Sequence, residues 1–388
     1  YSCYCDAVTV KQVEGKEWQI MQDKIASITP YVIPADTRPD PWWSRKPYVL
    51  VRVETSDGIV GWGECHHLNF REGALVAMIH AAAATFIGRP AHGIRSLQHD
   101  AFFAFGQQRP GLEVYSAIAG IELALWDILG KRFNAPVYEL TGGALQDSVA
   151  VYANIYSPRP QKAADFAEMA ARQVESGHRA IKLYPFSANT SIAEGVAILE
   201  AVRDAVGPKI ALAVDLWRQA DPARALALAK AMEPFDLIWI EDPLAPTDAQ
   251  TLRYVREAIR QPLLTGETLA TRRDFAPMFE ARAVDIVNPD ICQTGLLELQ
   301  AIAAMAETFC VKLSPHNSNS MALGTAAAVH AALGIANVGL VEYFPLFETA
   351  LDDVCEGRLP VRNGSIAKPL NPGLGLIFDE LHMERYRV

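Results

Sequence analysis

Long apolar runs and a basic excess are both missing from this 388-residue sequence. No stretch is apolar enough over about 20 residues to span a bilayer, and the first twenty-odd residues lack the charged-then-apolar order of a secretory signal. The formal net charge of -10 argues against nucleic acid or an anionic membrane as the main partner, because both favour a basic face. We therefore expect a soluble, cytoplasmic protein.

Cysteine spacing typical of a zinc site or a disulfide framework is also absent. A chain of this length can bury a sizeable core without covalent staples, so reduced thiols are expected. Half of the residues are hydrophobic and 21% are charged, which is typical of a globular protein with one large domain and a smaller one. The six cysteines are Cys3, Cys5, Cys65, Cys292, Cys310 and Cys355.

The N-terminal third has the pattern of an α+β module. Residues 1–23 show no clear relation to the rest of the chain and are predicted to be an extension or a tag remnant. Two apolar runs, at 24–33 and 48–64, predict an antiparallel meander with a turn at Ser56-Asp57-Gly58. From Ala74 to about Leu140 the apolar spacing becomes helical. We predict one α+β module over residues 24–148.

After Gly143 short apolar strands alternate with helices. Eight strands with seven intervening helices predict a parallel sheet closed into a (β/α) barrel over residues 149–348. A doubly wound open sheet is the alternative, but we find no glycine-rich phosphate loop in its first turn. Turn signals past Glu348 predict that residues 349–388 return to the first module. The strands are VAVYANIY, AIKLYPF, IALAVDLW, LIWIEDPL, PLLTGE, AVDIVNPD, VKLSPH and GLVEYF.

A polar residue closes seven of these strands at nearly regular spacing. Five of the six steps between them are 23 to 26 residues, and the first is 33. All strands of such a barrel point the same way, so these residues are expected on one face, where active sites of this architecture lie. They are Lys182, Asp215, Glu241, Glu267, Asp290, His316 and Glu342.

Three of the seven are carboxylates on consecutive strands. Neighbouring strands lie about 4.8 Å apart, so Asp215, Glu241 and Glu267 are expected to converge. Two unit charges about 4 Å apart repel by about 4 kcal/mol at an effective dielectric of 20. A divalent cation removes that conflict, and an all-oxygen ligand set favours Mg²⁺ over zinc. The alternative is that the acids are solvated separately or paired with arginines; Asp242 faces away and is predicted to be structural.

Two further pairs predict acid–base chemistry. Lys182 and Tyr184 are two residues apart and lie on one side of their strand. Asp290 and His316 end adjacent strands, where a carboxylate fixes the tautomer of an imidazole and raises its basicity. A lone histidine after a proline is ordinarily a satisfied core residue, but the paired acid and the facing lysine favour a catalytic role.

The sequence resembles the enolase superfamily and, within it, the mandelate racemase subgroup. VDLW, IEDP and TGET are similar to the family's three metal-ligand strand ends, and NPD and SPH to the aspartate and histidine of its dyad. WGE from Trp62 and IELALWDILGK from Ile121 resemble its capping module and first linker helices. The resemblance implies a modified TIM-like barrel with an α+β cap, Mg²⁺, a small carboxylate substrate, and a homo-oligomer, often an octamer.

The family's chemistry is also implied. The metal and nearby donors hold the substrate carboxylate, a base removes the proton from the neighbouring carbon, and the metal neutralises the enediolate that develops. Glu342 matches the family's glutamate on the eighth strand, which donates a hydrogen bond to that enediolate when it is protonated.

One position departs from the pattern of the subgroup. Its racemases carry KxK on the second strand, with the second lysine as a base, but Tyr184 stands at that position here. A tyrosine with its ordinary pKa of about 10 is a poor base, which weakens a two-base racemisation. Elimination of water needs one base and one proton donor, which His316 with Asp290 and Tyr184 with Lys182 supply in either assignment, depending on the stereochemistry of the substrate. We therefore predict a dehydratase acting on an acid sugar. The alternatives are an epimerase or lactone cycloisomerase with the same groups, and a catalytically silent binding protein.

Substrate-binding residues are predicted mainly in the first module. The segment TRPDPWWSRKP lies between two strands, where loops often form lids, and Arg38 and Arg45 in it are predicted to clamp the substrate. His66 follows the next strand and is predicted to reach the substrate. Trp217, next to a predicted metal ligand, is predicted to form a wall of the site.

Overall fold

The N-terminal module is a three-stranded antiparallel sheet covered by helices. The computed structural model describes residues 23–34, 47–107, 111–156, 162–317, 320–347 and 352–388. Apolar residues alternate along the strands and recur at helical spacing afterwards, as the sequence predicts. The strands are β1 (Ile25–Ile33), β2 (Tyr48–Thr55) and β3 (Val60–Cys65), in that order, and the helices are α1 (Glu72–Phe86), α2 (Ile94–Ala101), α3 (Leu112–Phe133) and α4 (Val137–Leu140).

Strand β3 packs directly on helix α3 because glycines face each other there. A Cβ added at Gly63 would lie 1.9 Å from the carbonyl oxygen of Gly120 and 2.9 Å from the backbone nitrogen of Ala124. A Cβ at Gly120 would lie 2.2 Å from the Cys65 sulfur. The two backbones therefore approach as closely as glycine alone permits, which fixes the position of the loop after β3.

Replacing Gly63 with alanine is expected to destabilise the fold. The added methyl group meets backbone atoms that cannot move aside, and overpacking of this kind costs about 1 to 3 kcal/mol. Gly73→Ala is the matched control, because a Cβ there would meet no described atom within 4 Å outside its own helix and alanine favours α1. Urea unfolding should show a lower midpoint for Gly63→Ala and an unchanged or higher one for Gly73→Ala; equal midpoints would contradict the packing argument.

The second part of the chain is a parallel (β/α) barrel. Among the described residues eight parallel strands are hydrogen-bonded in the order β10-β9-β8-β7-β6-β5-β4-β11. The strands are β4 (Ser148–Asn154), β5 (Ala180–Leu183), β6 (Ala211–Asp215), β7 (Leu237–Glu241), β8 (Leu263–Thr265), β9 (Ile286–Val287), β10 (Lys312–Leu313) and β11 (Val341–Tyr343). The helices are α5 (Ala163–Glu175), α6 (Ile192–Val206), α7 (Pro222–Met232), α8 (Ala249–Ala258), α9 (Arg272–Glu280), α10 (Ile291–Thr294), α11 (Leu296–Thr308) and α12 (Ala322–Leu333).

Backbone hydrogen bonds close the barrel between its last two strands. Gly339 donates its N–H to the Leu313 carbonyl at 2.7 Å, and Glu342 donates to the Pro315 carbonyl at 3.1 Å. The predicted barrel is thus confirmed, with an open doubly wound sheet excluded.

The last residues contact both parts of the molecule. Strand β12 (Cys355–Glu356) pairs with β14 (Ile377–Phe378), β13 (Ser365–Ala367) pairs antiparallel with β4, and helix α13 (Glu380–Met383) follows. Phe378 stacks on Trp62 with ring centroids 4.6 Å apart, and the Arg52 guanidinium lies 2.6 Å from Glu380. The predicted return of the chain to the N-terminal sheet is seen in these contacts, while the exact boundaries of the domains stay a prediction.

No helix in the described part of the chain combines the length and the apolar character needed to cross a membrane.

Candidate active site

A cavity of about 790 Å³ lies where the N-terminal module meets the barrel. The module contributes the loop after β3 and the start of α3, and the barrel contributes the loops after its strands. The contact between the two parts therefore determines the shape of the cavity. Its lining includes His66, Asn69, Tyr115, Tyr156, Tyr184, Asp215, Trp217, Arg218, Glu267, Gln293 and His316.

A buried carboxylate fixes the module to the barrel beside this cavity. Glu64, at the end of β3, is 2% exposed and accepts hydrogen bonds from the backbone nitrogens of Met321 at 2.9 Å and Gly324 at 2.8 Å. These donors are at the start of helix α12, where unpaired N–H groups and the helix dipole favour an anion. Two residues later, the backbone N–H of His66 donates to the Cys292 carbonyl at 3.0 Å.

The strand register brings the predicted acids into one layer. Asp215 is paired with Glu241 across β6 and β7, and Asp290 is bridged to His316. Glu267 lies two residues beyond the end of β8, and Lys182 and Glu342 lie within their strands, so the polar residues follow the strand ends less strictly than the sequence pattern predicts.

Lys182 is at the centre of the first group of acids. Its side chain is fully buried, and Nζ lies 2.8 Å from Glu241, 2.8 Å from Glu342 and 3.2 Å from Asp215. Burial opposes the charge on the amine, but Glu241 and Glu342 raise the pKa of Lys182 well above its ordinary value. Burial also raises the pKa of Asp215, against the effect of the nearby ammonium. The lysine therefore compensates acids on three strands at once.

Arg218 holds a second group of acids. Its guanidinium lies 2.5 Å from Glu267 and makes a close ion pair with Asp242, which also accepts a hydrogen bond from the Thr265 hydroxyl at 2.5 Å. Burial and the neighbouring Glu267 raise the pKa of Asp242 to about 7. A structural role for Asp242 therefore means holding Arg218, which contacts Glu267.

Negative charge remains in excess after these pairs are counted. Five of six acids are at most 2% exposed, and the side chain of the sixth, Glu267, is 13% exposed. Within the described residues, Lys182 and Arg218 are the permanent cations at ion-pair distance, so with all six acids ionised the excess is four charges, or three when His316 is protonated. The six acids are Asp215, Glu241, Asp242, Glu267, Asp290 and Glu342.

This donor set fits a hard divalent cation in chemistry and in charge. Asp215, Glu241 and Glu267 supply oxygen atoms from three consecutive strands, which is the ligand type that Mg²⁺ prefers, and two of the three line the cavity. In the part of the chain that the structure describes, no three acid, histidine or cysteine side chains are already arranged to hold a metal ion. Lys182, Arg218 and His316 contact the carboxylates instead, so metal binding requires these side chains to rotate.

His316 and Asp290 form the predicted pair. His316 Nδ1 lies 2.9 Å from Asp290 Oδ2, and its Nε2 lies 2.9 Å from Glu267 Oε2 and 3.7 Å from Glu342 Oε2. Burial alone would lower the pKa of His316, but Glu267 and Glu342 raise it well above the ordinary value. Asp290 is fully buried, and the hydrogen bond from His316 together with the nearby His66 ring lowers its pKa despite the burial. Asp290 thus orients the His316 ring and leaves Nε2 on the cavity side.

Tyr184 belongs to a separate hydrogen-bonded group. Asn154 donates from Nδ2 to the Tyr184 hydroxyl oxygen at 2.9 Å and to Glu342 Oε1 at 2.7 Å. Burial raises the pKa of Tyr184 well above 10, against the effect of Lys182. Lys182 does not activate the phenol as a base, so Tyr184 faces the cavity as a neutral hydroxyl.

Glu342 acts as an acceptor in this arrangement. Its Oε1 contacts Lys182 and Asn154, and its Oε2 accepts the backbone N–H of Asn317 at 2.9 Å. The role of hydrogen-bond donor predicted for this glutamate stays a prediction, and in this structure its two oxygens accept hydrogen bonds.

The predicted substrate-binding residues have different outcomes. Trp217 lines the cavity and is 51% exposed, and His66 lines it with a side chain that is 9% exposed. Trp217 and Arg218 have φ of 44° and 59°, the left-handed region that costs a side-chain-bearing residue of order 1 to 3 kcal/mol. Arg38 and Arg45 lie outside the described residues, and their predicted contacts with the substrate stay predictions.

Asn154 and Arg218 are not among the site residues predicted from the sequence. Asn154 is the polar residue that closes the first barrel strand, so the rule used for the other seven strands also finds it. Arg218 follows a predicted metal ligand, but its side chain returns to Asp242 and Glu267 only because two consecutive residues adopt positive φ. No spacing rule predicts such a backbone.

Comparison with known families identifies the class of protein. A family model described as enolase C-terminal domain-like matches residues 165–382. The model of the mandelate racemase / muconate lactonizing enzyme N-terminal domain matches residues 17–142. The chain therefore belongs to the mandelate racemase / muconate lactonizing enzyme family of the enolase superfamily.

Individual relatives are similar over most of their length. The D-xylonate dehydratase of Haloferax volcanii is 31% identical over 87% of this chain and 85% of its own. The D-galactonate dehydratase of Ralstonia pickettii is 31% identical over 92% of each chain, and the D-gluconate dehydratase of Thermoproteus tenax 30% identical over 94% of this chain and 74% of its own.

A solved structure in the same family carries a different activity. The 3,6-anhydro-D-galactonate cycloisomerase of Zobellia galactanivorans superposes with a TM-score of 0.84 and 28% identity, covering 94% of this chain and 99% of that one. The fold and family therefore do not by themselves separate elimination from cycloisomerisation.

Proposed function

We propose that this protein is an Mg²⁺-dependent dehydratase of acid sugars, which removes the proton next to the carboxylate and eliminates the hydroxyl group on the following carbon. The observation that carries the proposal is one imidazole on a buried aspartate, His316 with Asp290, facing a cavity in which Tyr184 stays a neutral phenol. The three curated dehydratases at 30–31% identity support the same reaction class.

Asp215, Glu241 and Glu267 would hold the metal ion. When bound there, Mg²⁺ supplies positive charge that binds the substrate carboxylate and stabilises the negative charge of the enediolate. The remaining steps belong to side chains of this chain. Lys182, held between acids on three strands, adds a fixed positive charge next to the reacting carboxylate.

His316 is the base in this proposal. Asp290 binds Nδ1, so the ring has one orientation, and Nε2 is the atom that takes the proton from the carbon next to the carboxylate. In the structure Glu267 favours a protonated Nε2 at 2.9 Å. The base function therefore requires that Glu267 be engaged elsewhere, as its proposed role as a metal ligand demands.

Tyr184 decides between elimination and racemisation. Racemisation needs bases of comparable strength on the two faces of the substrate, and a buried phenol with a pKa well above 10 does not supply the second one. Elimination does not need a second base. The cycloisomerase among the structural neighbours keeps a lactone cycloisomerase as the second candidate.

The two candidates give different products in deuterated water. We expect that incubation with D-xylonate, D-gluconate and D-galactonate in the presence of Mg²⁺ yields a 2-keto-3-deoxy acid from at least one of them, detected by proton NMR. Deuterium at C2 of an otherwise intact acid, without keto product, would instead support an epimerase. Isomerisation of an anhydro acid or a lactone by a protein inert toward all three acids would support the cycloisomerase.

A further inference from the structure

Asp290 contacts two imidazoles, those of His316 and His66, and only His316 has a role in the reaction so far. Its Oδ2 atom lies 2.9 Å from His316 Nδ1 and 3.5 Å from His66 Nδ1. The two rings are 6.5 Å apart between centroids and inclined at 61°. Both line the cavity, so one buried carboxylate presents two imidazoles to the same substrate.

His66 is held in place from both sides. It follows β3, which is packed on α3 through glycines, and Glu64 joins the end of that strand to the start of α12. Its own backbone N–H donates to the Cys292 carbonyl of the barrel at 3.0 Å. The backbone that carries the imidazole is therefore fixed, which suits a group that must be positioned for catalysis. With Nδ1 turned to Asp290, Nε2 is the ring nitrogen directed away from that carboxylate.

Elimination of water needs a proton donor as well as a base. Hydroxide is a poor leaving group, so the enediolate returns to the starting acid unless a positioned acid protonates the hydroxyl on the next carbon. The base and the acid act on adjacent carbons, and in a syn elimination the two groups lie beside each other on one face of the substrate. His66 and His316 have this relation.

We propose that His66 is the general acid that protonates the departing hydroxyl group. This inference rests on the proposed dehydration. His316 Nε2 takes the proton from C2, and the electron pair of the broken C2–H bond forms the enediolate. As the enediolate collapses, the C3–O bond breaks and its electrons leave with oxygen, which takes a proton from His66 Nε2 and departs as water. The enol product then ketonises, and both imidazoles recover their protonation states by exchange with solvent.

Tyr184 is the other candidate for the donor, and two observations favour His66 over it. A proton donor is most effective when its pKa is near the working pH, which an imidazolium satisfies and a buried phenol with a pKa well above 10 does not. His66 Nδ1 also lies 3.5 Å from the carboxylate that holds His316, whereas Tyr184 is hydrogen-bonded to Asn154 on a different strand. A donor on the side of His316 makes the elimination syn.

Replacing His66 with glutamine separates the two proton transfers. In deuterated water with Mg²⁺ and the sugar acid that the wild type dehydrates best, we expect His66→Gln to lose about 100-fold or more in keto-acid formation. Deuterium should now accumulate at C2 of the unreacted acid, because His316 still removes that proton. His80→Gln is the matched control, since His80 is exposed on α1 of the same module, and it should behave as the wild type.

A substrate with a better leaving group provides an independent measurement. The 3-deoxy-3-fluoro analogue loses fluoride, which needs no proton, so His66→Gln should process it within about threefold of the wild-type rate. Tyr184→Phe should retain dehydration of the natural acid within about tenfold, since it removes a contact to the substrate and not the donor.

Several outcomes would overturn the assignment. Keto-acid formation by His66→Gln at the wild-type rate would remove His66 from the reaction, and a loss of about 100-fold in Tyr184→Phe rescued by the fluoro analogue would identify the phenol as the donor. Equal loss of exchange and elimination in His66→Gln would make His66 a binding residue. Absence of keto acid from the wild type with every acid tested would instead reject the proposed dehydration itself.

Discussion

Replacing His316 with asparagine is expected to abolish turnover of the sugar acid, with a loss of about 10⁴-fold, the upper end of what a positioned general base contributes. Asparagine keeps a hydrogen-bonding group beside Asp290 but has no atom that accepts a proton from carbon. Because His316 acts before any bond to oxygen breaks, keto-acid formation and deuterium exchange at C2 should disappear together. Both are read from the same proton NMR time course.

Two controls show whether the loss of activity is specific to the chemistry of His316. His80→Asn replaces an exposed histidine of helix α1 and should leave both rates unchanged. The thermal unfolding midpoint of His316→Asn should still rise on addition of Mg²⁺, since the three proposed metal ligands remain. Retention of C2 exchange by His316→Asn would assign the base to another residue, and Lys182 would become the first candidate.

The contrast between His316 and His66 variants tests the order of events. Loss of His316 should remove both reactions of the substrate, whereas loss of His66 should remove elimination alone. The two histidines contact the same oxygen of Asp290, so a general disturbance of that carboxylate would affect them equally. Different patterns of exchange and product therefore cannot arise from a shared structural defect.

The sequence predicts the barrel and most of its polar rim for one physical reason. Parallel strands that are buried on both faces must be continuously apolar, so a charged residue becomes tolerable only where the strand ends. Asp215 and Glu241 stand at such ends and His316 lies three residues beyond one, and the regular length of a βα unit makes these residues recur.

The position of a residue at a strand end does not predict which other polar residues its side chain contacts. A strand-end rule places Lys182 near the acids, but it does not say that the amine reaches three strands or that Tyr184 is bonded to Asn154. These partners depend on side-chain rotamers and on the tilt of the strands. The sequence pairs Lys182 with Tyr184 for acid–base chemistry, whereas in the structure burial raises the pKa of the phenol against the effect of the ammonium.

The adjacent pair His66 and His67 shows a second limit. Both follow β3 and both line the cavity, and the prediction of His66 rests on no sequence feature that separates it from His67. The backbone hydrogen bond from the His66 N–H to the Cys292 carbonyl holds His66 against the barrel, and it joins residues 226 positions apart in the sequence. A contact between two separately folded parts of a chain is determined by packing, not by local pattern.

Removal of the divalent ion is expected to have an effect as large as loss of the base. Without it the excess of buried negative charge must be met by bound protons, and the enediolate loses the divalent charge that would neutralise it. Treatment with EDTA should abolish keto-acid formation, and Mg²⁺ should restore it. At about 100 times its dissociation constant a ligand stabilises the folded state by about 2.7 kcal/mol, which a thermal unfolding scan detects.

Asp215→Asn tests the ligand set directly, and Asp236→Asn is its matched control. The first substitution keeps the shape of the side chain but removes its charge, so turnover and the Mg²⁺-induced rise in unfolding midpoint should both be lost. Before metal is added, Asp215→Asn should be at least as stable as the wild type, because it removes one of the mutually repelling acids. Asp236 is exposed, and asparagine tolerates its positive φ of 49°, so Asp236→Asn should respond to Mg²⁺ like the wild type. A full metal response in Asp215→Asn would exclude Asp215 as a ligand, and full activity of the wild type in EDTA would exclude the metal from the reaction.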